Sequence, residues 1–381
     1  MRKDILPVNS KKISAIVFLV GLVMLVTAMQ KPGNKPVVIG YVGGFRGLLK
    51  TETIAAEKLT HINYAFVNVK NNRAVLDNEK TDTVNFRKLN LLKKKNPDLK
   101  LLISIGGWSW SENFSNAVLT DTARKAFAAS AVAIIRQYQL DGVDIDWEYP
   151  GMPGEEGNIY RPEDKQNFTS MFQALRAELD ILQKQTGKKK LLTTAVGGFT
   201  KFLDHTEMGK AQVYLDYVNL MTYDLYSSEF AAHHTNLYGS KLNKTQNSAD
   251  TAVKAYIAAG VPAGKLVMGI AFYGRNFQLA NNATQGLGDR VVSQSFGKGY
   301  SVLKDSLVNT SGFKAYRDEA AKAPYLFNKE VKVFITYDDE WSVQNKCNYV
   351  LDKRMAGVMF WEYESDPKGY LLSTINTAFK K

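Results

Sequence analysis

Eight short apolar stretches, separated by longer amphipathic ones, limit the fold of this chain more than any other feature. They occupy residues 37–42, 61–69, 100–105, 142–147, 191–196, 217–221, 266–272 and 357–361. Each is almost continuously apolar, as expected of strands covered on both faces. Between them, residues 123–138, 162–185 and 248–259 carry apolar side chains at helical spacing. Strand–helix alternation argues for parallel pairing, because a parallel neighbour is reached only through a long crossover. Eight such units over residues 36–381 predict an α/β protein, a (β/α)8 TIM barrel. A doubly wound open sheet has the same alternation, and periodicity alone leaves it open. Residues 276–335, rich in Gly, Asn, Ser, Tyr and Phe, are too long for a simple connection and predict a small insertion after the seventh strand.

The fourth stretch carries the chemistry. In Leu140–Pro150 a period of two puts Val143, Ile145 and Trp147 on one face and Asp144, Asp146 and Glu148 on the other. Pro150 has no N–H for a ladder and should end the strand. Clustered carboxyls cannot all ionise freely, so at least one pKa is expected to rise. Glu148, the outermost, is placed to hold a proton near neutral pH, as a general acid must. Trp147 is expected in the core.

The run Asp141-Gly142-x-Asp144-x-Asp146-x-Glu148 resembles the catalytic signature of family 18 glycoside hydrolases, the chitinases. Other strand ends resemble the same family. Ser104-Ile105-Gly106-Gly107 is similar to its Ser-x-Gly-Gly element, and Met221-Thr222-Tyr223-Asp224 to its Met-x-Tyr-Asp element. Trp361, ending the eighth strand, matches the tryptophan that floors the cleaved sugar's site. The motifs recur at strand C-terminal ends, which favours the barrel. The resemblance further implies that the insertion is an α+β wall of the cleft.

It also implies a function: hydrolysis of a β-1,4-linked N-acetylglucosamine polymer, with retention, by substrate assistance, an exception to the two-carboxylate scheme. Glu148 would protonate the leaving oxygen, and the substrate's acetamido oxygen would attack the anomeric carbon to give an oxazolinium-type intermediate. Asp146 would hold the acetamido N–H, Asp144 would tune Asp146 from beneath with Tyr41 and Ser104, and Tyr223 would donate to the acetamido carbonyl. Asp224 would orient the same sugar. Phe66, Gly107, Trp108, Met221, Tyr273, Arg275 and Trp361 complete the expected cleft, with Trp110 a further candidate for a flanking sugar. A flat aromatic ring suits the C–H face of a sugar. Tyr337-Asp338-Asp339 resembles the family's return to the barrel, with a structural role. An endo-β-N-acetylglucosaminidase acting on glycans is the alternative, and a non-catalytic chitin-binding lectin a more distant one. Such lectins lose the terminal acid, which here is Glu148.

Composition adds bounds. The formal charge of +12 permits an anionic partner, but no nucleic-acid motif accompanies it, and Lys188-Lys189-Lys190 reads as a solvated turn. One cysteine, Cys347, excludes an internal disulfide and reads as a packing residue in a helix. His233 and His234 are adjacent and lack the facing geometry of a metal site, so no metal, cofactor or protein partner is expected, and a monomer is. Arg2, Lys3, Lys11 and Lys12 precede an apolar run over residues 13–29. Residues 1–30 read as a secretory signal peptide, or alternatively as an uncleaved membrane anchor, with 31–35 a linker. Either places the body outside the cytoplasm, as a secreted, periplasmic or membrane-tethered protein.

Overall fold

The computed structural model describes residues 35–226, 229–241 and 247–380. The signal or anchor reading of residues 1–30 lies outside them, as does all of the linker except Lys35. From Pro36 onward the chain is one compact unit.

In chain order the strands are β1 (Val37–Gly43), β2 (His61–Lys70), β3 (Arg73–Val75), β4 (Lys100–Gly106), β5 (Gly142–Asp146), β6 (Leu191–Gly197), β7 (Tyr217–Met221) and β8 (Leu266–Ala271). They continue with β9 (Tyr273–Leu279), β10 (Val291–Gly299), β11 (Lys314–Asp318), β12 (Ala323–Asn328), β13 (Val333–Thr336) and β14 (Gly357–Trp361). Strand neighbours run β1-β14-β8-β7-β6-β5-β4-β2, all parallel, and β2 pairs back onto β1. The ring is closed, so the open doubly wound sheet is excluded and the (β/α)8 barrel holds. β3 is a hairpin extension of β2. Its turn uses Asn71 and Asn72 at φ 51° and 59°, a conformation Asn tolerates better than most residues.

The barrel has two apolar shells. One lies between sheet and helices and takes Val143, Ile145 and Trp147 together with Phe114, Phe127 and Phe168. The other lies inside the ring and holds Ile39, Tyr41, Ala65, Ala195, Met221, Val267 and Met359. The period of two on β5 is therefore real: one face feeds the outer shell and the other faces the lumen.

The first two positions of the acid signature build the strand. Asp141 accepts from the Leu101 N–H at 2.8 Å and pairs with Lys93 at 2.6 Å. A Cβ on Gly142 would sit 2.3 Å from the Leu191 carbonyl, so only glycine lets β5 and β6 pair there. The solvated-turn reading of Lys188–Lys190 needs one correction. Lys190 is buried and donates from Nζ to the Leu140 carbonyl at 2.7 Å, capping the chain just before β5. Cys347 is buried within the helix Glu340–Asp352.

The insertion starts earlier than expected. It is a five-stranded antiparallel sheet, β10-β9-β13-β12-β11, with a short helix, Tyr300–Ser306. Its first strand begins at Tyr273, right after β8, and its last ends at Thr336. The apolar stretch through Phe272 hid this boundary, because nothing in the pattern separates β8 from β9. Asp338 then ties the returning chain to the barrel. It accepts from Lys346 Nζ at 2.6 Å, from Ser342 Oγ at 2.6 Å, from Thr235 Oγ1 at 3.0 Å and from the Ala271 N–H at 3.2 Å. Lys346 and Asp338 have no side-chain exposure. Removing one partner of such a pair strands a buried charge, which costs ~3–5 kcal/mol. Lys346→Met should lower stability in urea unfolding by that amount, and a loss below ~1 kcal/mol would show that the pair does not hold the insertion to the barrel.

Candidate active site

Strand register decides what surrounds each acid. Ser104 of β4 and Thr193 of β6 are the direct register partners of Asp144. Register partners in neighbouring strands point the same way, so two hydroxyls face one carboxylate. Ser104 Oγ donates to Asp144 Oδ2 at 2.8 Å and Thr193 Oγ1 to Oδ1 at 2.5 Å. Tyr41 Oη donates to Oδ2 at 2.9 Å across the lumen, and Asn219 Nδ2 to Oδ1 at 3.3 Å. Burial pushes the Asp144 carboxyl up and these donors pull it back, leaving it above the ordinary carboxylate range.

Two residues on, the partners change. Asp146 is in register with Gly106 and Ala195, neither of which carries a donor side chain. Its Oδ1 is buried without a partner. Burial first, then the charges of Glu148 and Asp144, raise its pKa well above the usual value. Gly106, at φ 109°, is needed for a second reason: a Cβ there would meet the Asp146 carbonyl at 2.2 Å. Gly107 donates its N–H to that carbonyl at 2.7 Å.

Glu148 lies just past the strand end and is half-buried. Ser111 Oγ accepts from its N–H at 2.8 Å while donating to the Gly107 carbonyl. Asn158 Nδ2 donates to its carbonyl at 3.1 Å. The backbone is thus clamped from two loops, and the carboxyl accepts a hydrogen bond from the Tyr149 hydroxyl. Burial lifts that carboxyl to about 7, the charge of Asp224 adds to the rise and Tyr149 opposes it.

Tyr223 follows β7. The partner of its hydroxyl is the Met359 sulfur at 3.8 Å, a weak acceptor, so a stronger acceptor could claim its proton. Asp224, at φ 57°, accepts from Arg275 Nε and Nη2 at 2.7 Å each, from Tyr273 Oη at 2.8 Å and from His234 Nδ1 at 3.3 Å. Burial would raise its pKa, but His234 and Arg275 outweigh burial and hold it far below the usual range. Burial lowers the His234 pKa, against the opposing pull of Asp224. These donors fill the four lone-pair positions of the carboxylate. Asp224 therefore joins the barrel to Tyr273 and Arg275 of the insertion.

Aromatic rings line the same end of the barrel. Trp361 lies nearly parallel to Phe66 (centroids 5.4 Å apart, 17°) and to Phe45 (6.2 Å, 17°), with Tyr41 tilted at 5.9 Å. Trp110 meets Phe66 edge-on, and Trp108 is exposed and meets Tyr149 edge-on. A Cβ on Gly107 would strike the Phe66 ring at 2.6 Å, so the glycine makes room for that ring. Met221 packs inside the lumen beside Tyr223 and Trp361. Trp147 is core. Reasoning from sequence missed Thr193, Asn219, Ser111, His234 and Phe45. Thr193 and Asn219 lie in the interiors of β6 and β7, and only register, invisible in the sequence, brings them to Asp144.

The model of Glycosyl hydrolases family 18 matches residues 37–366. The chain belongs to that family. Chitinase A1 of Niallia circulans is 34% identical over 393 residues, covering 86% of this chain and 56% of that protein, so the chain spans little more than half of that relative. Chitinase B of Serratia marcescens is 32% identical over 394 residues, covering 85% and 77%. A family 18 N-acetylglucosaminidase from Paenibacillus barengoltzii superposes with a TM-score of 0.83 at 41% identity, over 90% of this chain and 99% of that one. A chitinase-like agglutinin from Robinia pseudoacacia does so with a TM-score of 0.77 at 27% identity, over 90% and 99%. Family 18 architecture thus carries both enzymes and a binding protein, and the side chains must discriminate.

Two outcomes test the electrostatics. A general acid at Glu148 must be protonated to act, so kcat/KM should fall above about pH 7 on soluble chitooligosaccharides; a profile flat to pH 9 contradicts this. For Asp146 the folded pKa lies above the unfolded one, so its contribution to stability is present at low pH and lost as pH rises through the folded pKa. Asp146→Asn removes that loss and should raise the thermal midpoint at pH 7.5, while activity collapses. A lower midpoint would show that Asp146 is satisfied in the native state.

Proposed function

We propose that this family 18 protein hydrolyses β-1,4-linked N-acetylglucosamine chains with retention, the substrate supplying the nucleophile. The observation that carries this reading is the buried Asp146 oxygen without a hydrogen-bond donor. A buried acceptor left unmatched is costly unless a ligand completes it. An acetamido N–H is a donor of the required kind, and Tyr223 Oη is a donor able to serve its carbonyl. Held by both, the acetamido oxygen can attack the anomeric carbon from within the sugar. Glu148 gives its proton to the leaving oxygen in the same step. The carbonyl carbon then shares its positive charge with the nitrogen, next to the Asp146 carboxylate, which is stabilised as that charge develops. Glu148, now ionised, takes a proton from water as the ring opens. Asp144, held by Ser104, Thr193, Tyr41 and Asn219, fixes Asp146 from beneath. Trp361 with Phe66 supplies the flat floor against which the sugar's C–H face is buried.

The retained Glu148 favours an enzyme over a lectin. A general acid of this kind contributes ~10²–10⁴ to the rate, so Glu148→Gln should lose about that much kcat on an N-acetylglucosamine hexamer and still bind it. Product analysis of the wild type, with anomer detection, should give the β-anomer first. Release of the α-anomer, or a Glu148→Gln variant as active as the wild type, would overturn the mechanism. Cleavage of a high-mannose glycoprotein but not of the hexamer would redirect the substrate assignment.

A further inference from the structure

The face of the barrel opposite the acids is a ring of cations. Because all eight barrel strands are parallel, the connections that enter them share one face, and the catalytic ladder leaves by the other. Arg87, Lys94, Lys95, Lys188 and Arg354 lie on or beside these entering connections. All five are exposed, and none forms an ion pair among the described residues. The half-buried acids there are already matched, Asp141 by Lys93 and Asp216 by Lys189 and Arg176. Exposed acids on these connections are Glu57, Asp98 and Asp352, spread around the rim. Beneath β4, β5 and β6 the surface opens into a groove of about 840 Å³, lined by Arg87, Lys93, Arg136, Lys188 and Lys190 with Asp141 as its one acid. Lys94, Lys95, Lys188 and Arg354 flank helix C-termini and offset the helix dipoles there, an interaction that leaves their charged ends exposed to solvent.

Two further features indicate what such a face meets. The described fold begins at Lys35 and enters β1 at Val37, on this face. The 34 residues before it contain the apolar run 13–29 with basic residues ahead of it. Among the described residues no helix is long and apolar enough to cross a membrane, so any bilayer contact of the folded body is a surface contact. We infer that the N-terminal face of the barrel docks on an anionic phospholipid surface, with the catalytic cleft turned away from it toward the medium. Each basic side chain near such a surface adds to the attraction, which acts over roughly one Debye length.

The test is co-sedimentation of the full chain with vesicles of phosphatidylcholine alone and of phosphatidylcholine with phosphatidylglycerol. The apolar run would bind both, so the difference between them reports charge. Binding to the anionic vesicles should be stronger and should lose that advantage at 1 M salt. In the combined variant Arg87→Gln, Lys94→Gln, Lys95→Gln, Lys188→Gln, the preference should fall by at least about tenfold, with turnover of a soluble chitooligosaccharide unchanged. A full preference retained by the variant would assign it to the basic residues before the apolar run and overturn the inference. So would equal binding to both vesicles, or a variant that loses retention on inorganic polyphosphate yet keeps its preference for anionic vesicles.

Discussion

The site depends on a difference between two residues of one strand. Asp144 and Asp146 face the same lumen, yet register gives the first two hydroxyls and the second a glycine and an alanine. Asp144 is consequently saturated and fixed, while Asp146 is buried and short of a donor. Burial, with the charge of Asp224 and against the Tyr149 hydrogen bond, lifts Glu148 so that it holds a proton to about pH 7, and its charge in turn helps raise Asp146. A protein that only had to be stable would not keep this arrangement, because two buried carboxyls with raised pKa values, beside a half-buried third, oppose folding as pH rises.

The insertion belongs to the same design. Asp224 is bound by Arg275 and Tyr273 of β9 and by His234, and Asp338 by Lys346, Ser342 and Thr235. Both ties cross from insertion-linked segments to the barrel, close to Tyr223 and β8. The wall beside the cleft is therefore fixed to the element that presents Tyr223. Arg275 also lies over the Phe296 ring at 4.2 Å, which extends the tie into β10.

Much of this was legible from the chain alone. Eight apolar stretches gave eight barrel strands, because parallel strands buried on both faces must be apolar throughout. The period of two on β5 placed the acids together and Trp147 apart, because side-chain alternation is local. Register is not local, so Thr193 and Asn219 could not be matched to Asp144. The loop histidine His234 was missed for the same reason: its neighbour Asp224 is ten residues away and meets it only through a folded loop. The start of β9 was hidden in a continuous apolar run, and Lys190 passed as a surface lysine because only the fold shows the Leu140 carbonyl beneath it.

The central claim is that Asp146 and Glu148 share a high, coupled titration that burial imposes. Carbon-13 NMR of labelled side-chain carboxyls tests it most directly. In the wild type both groups should titrate well above the ordinary carboxylate range, in linked steps. In Glu148→Gln the Asp146 step should move toward acid, since one of the charges raising it is gone. Independent titration of both groups near pH 4, unchanged by that substitution, would contradict the account.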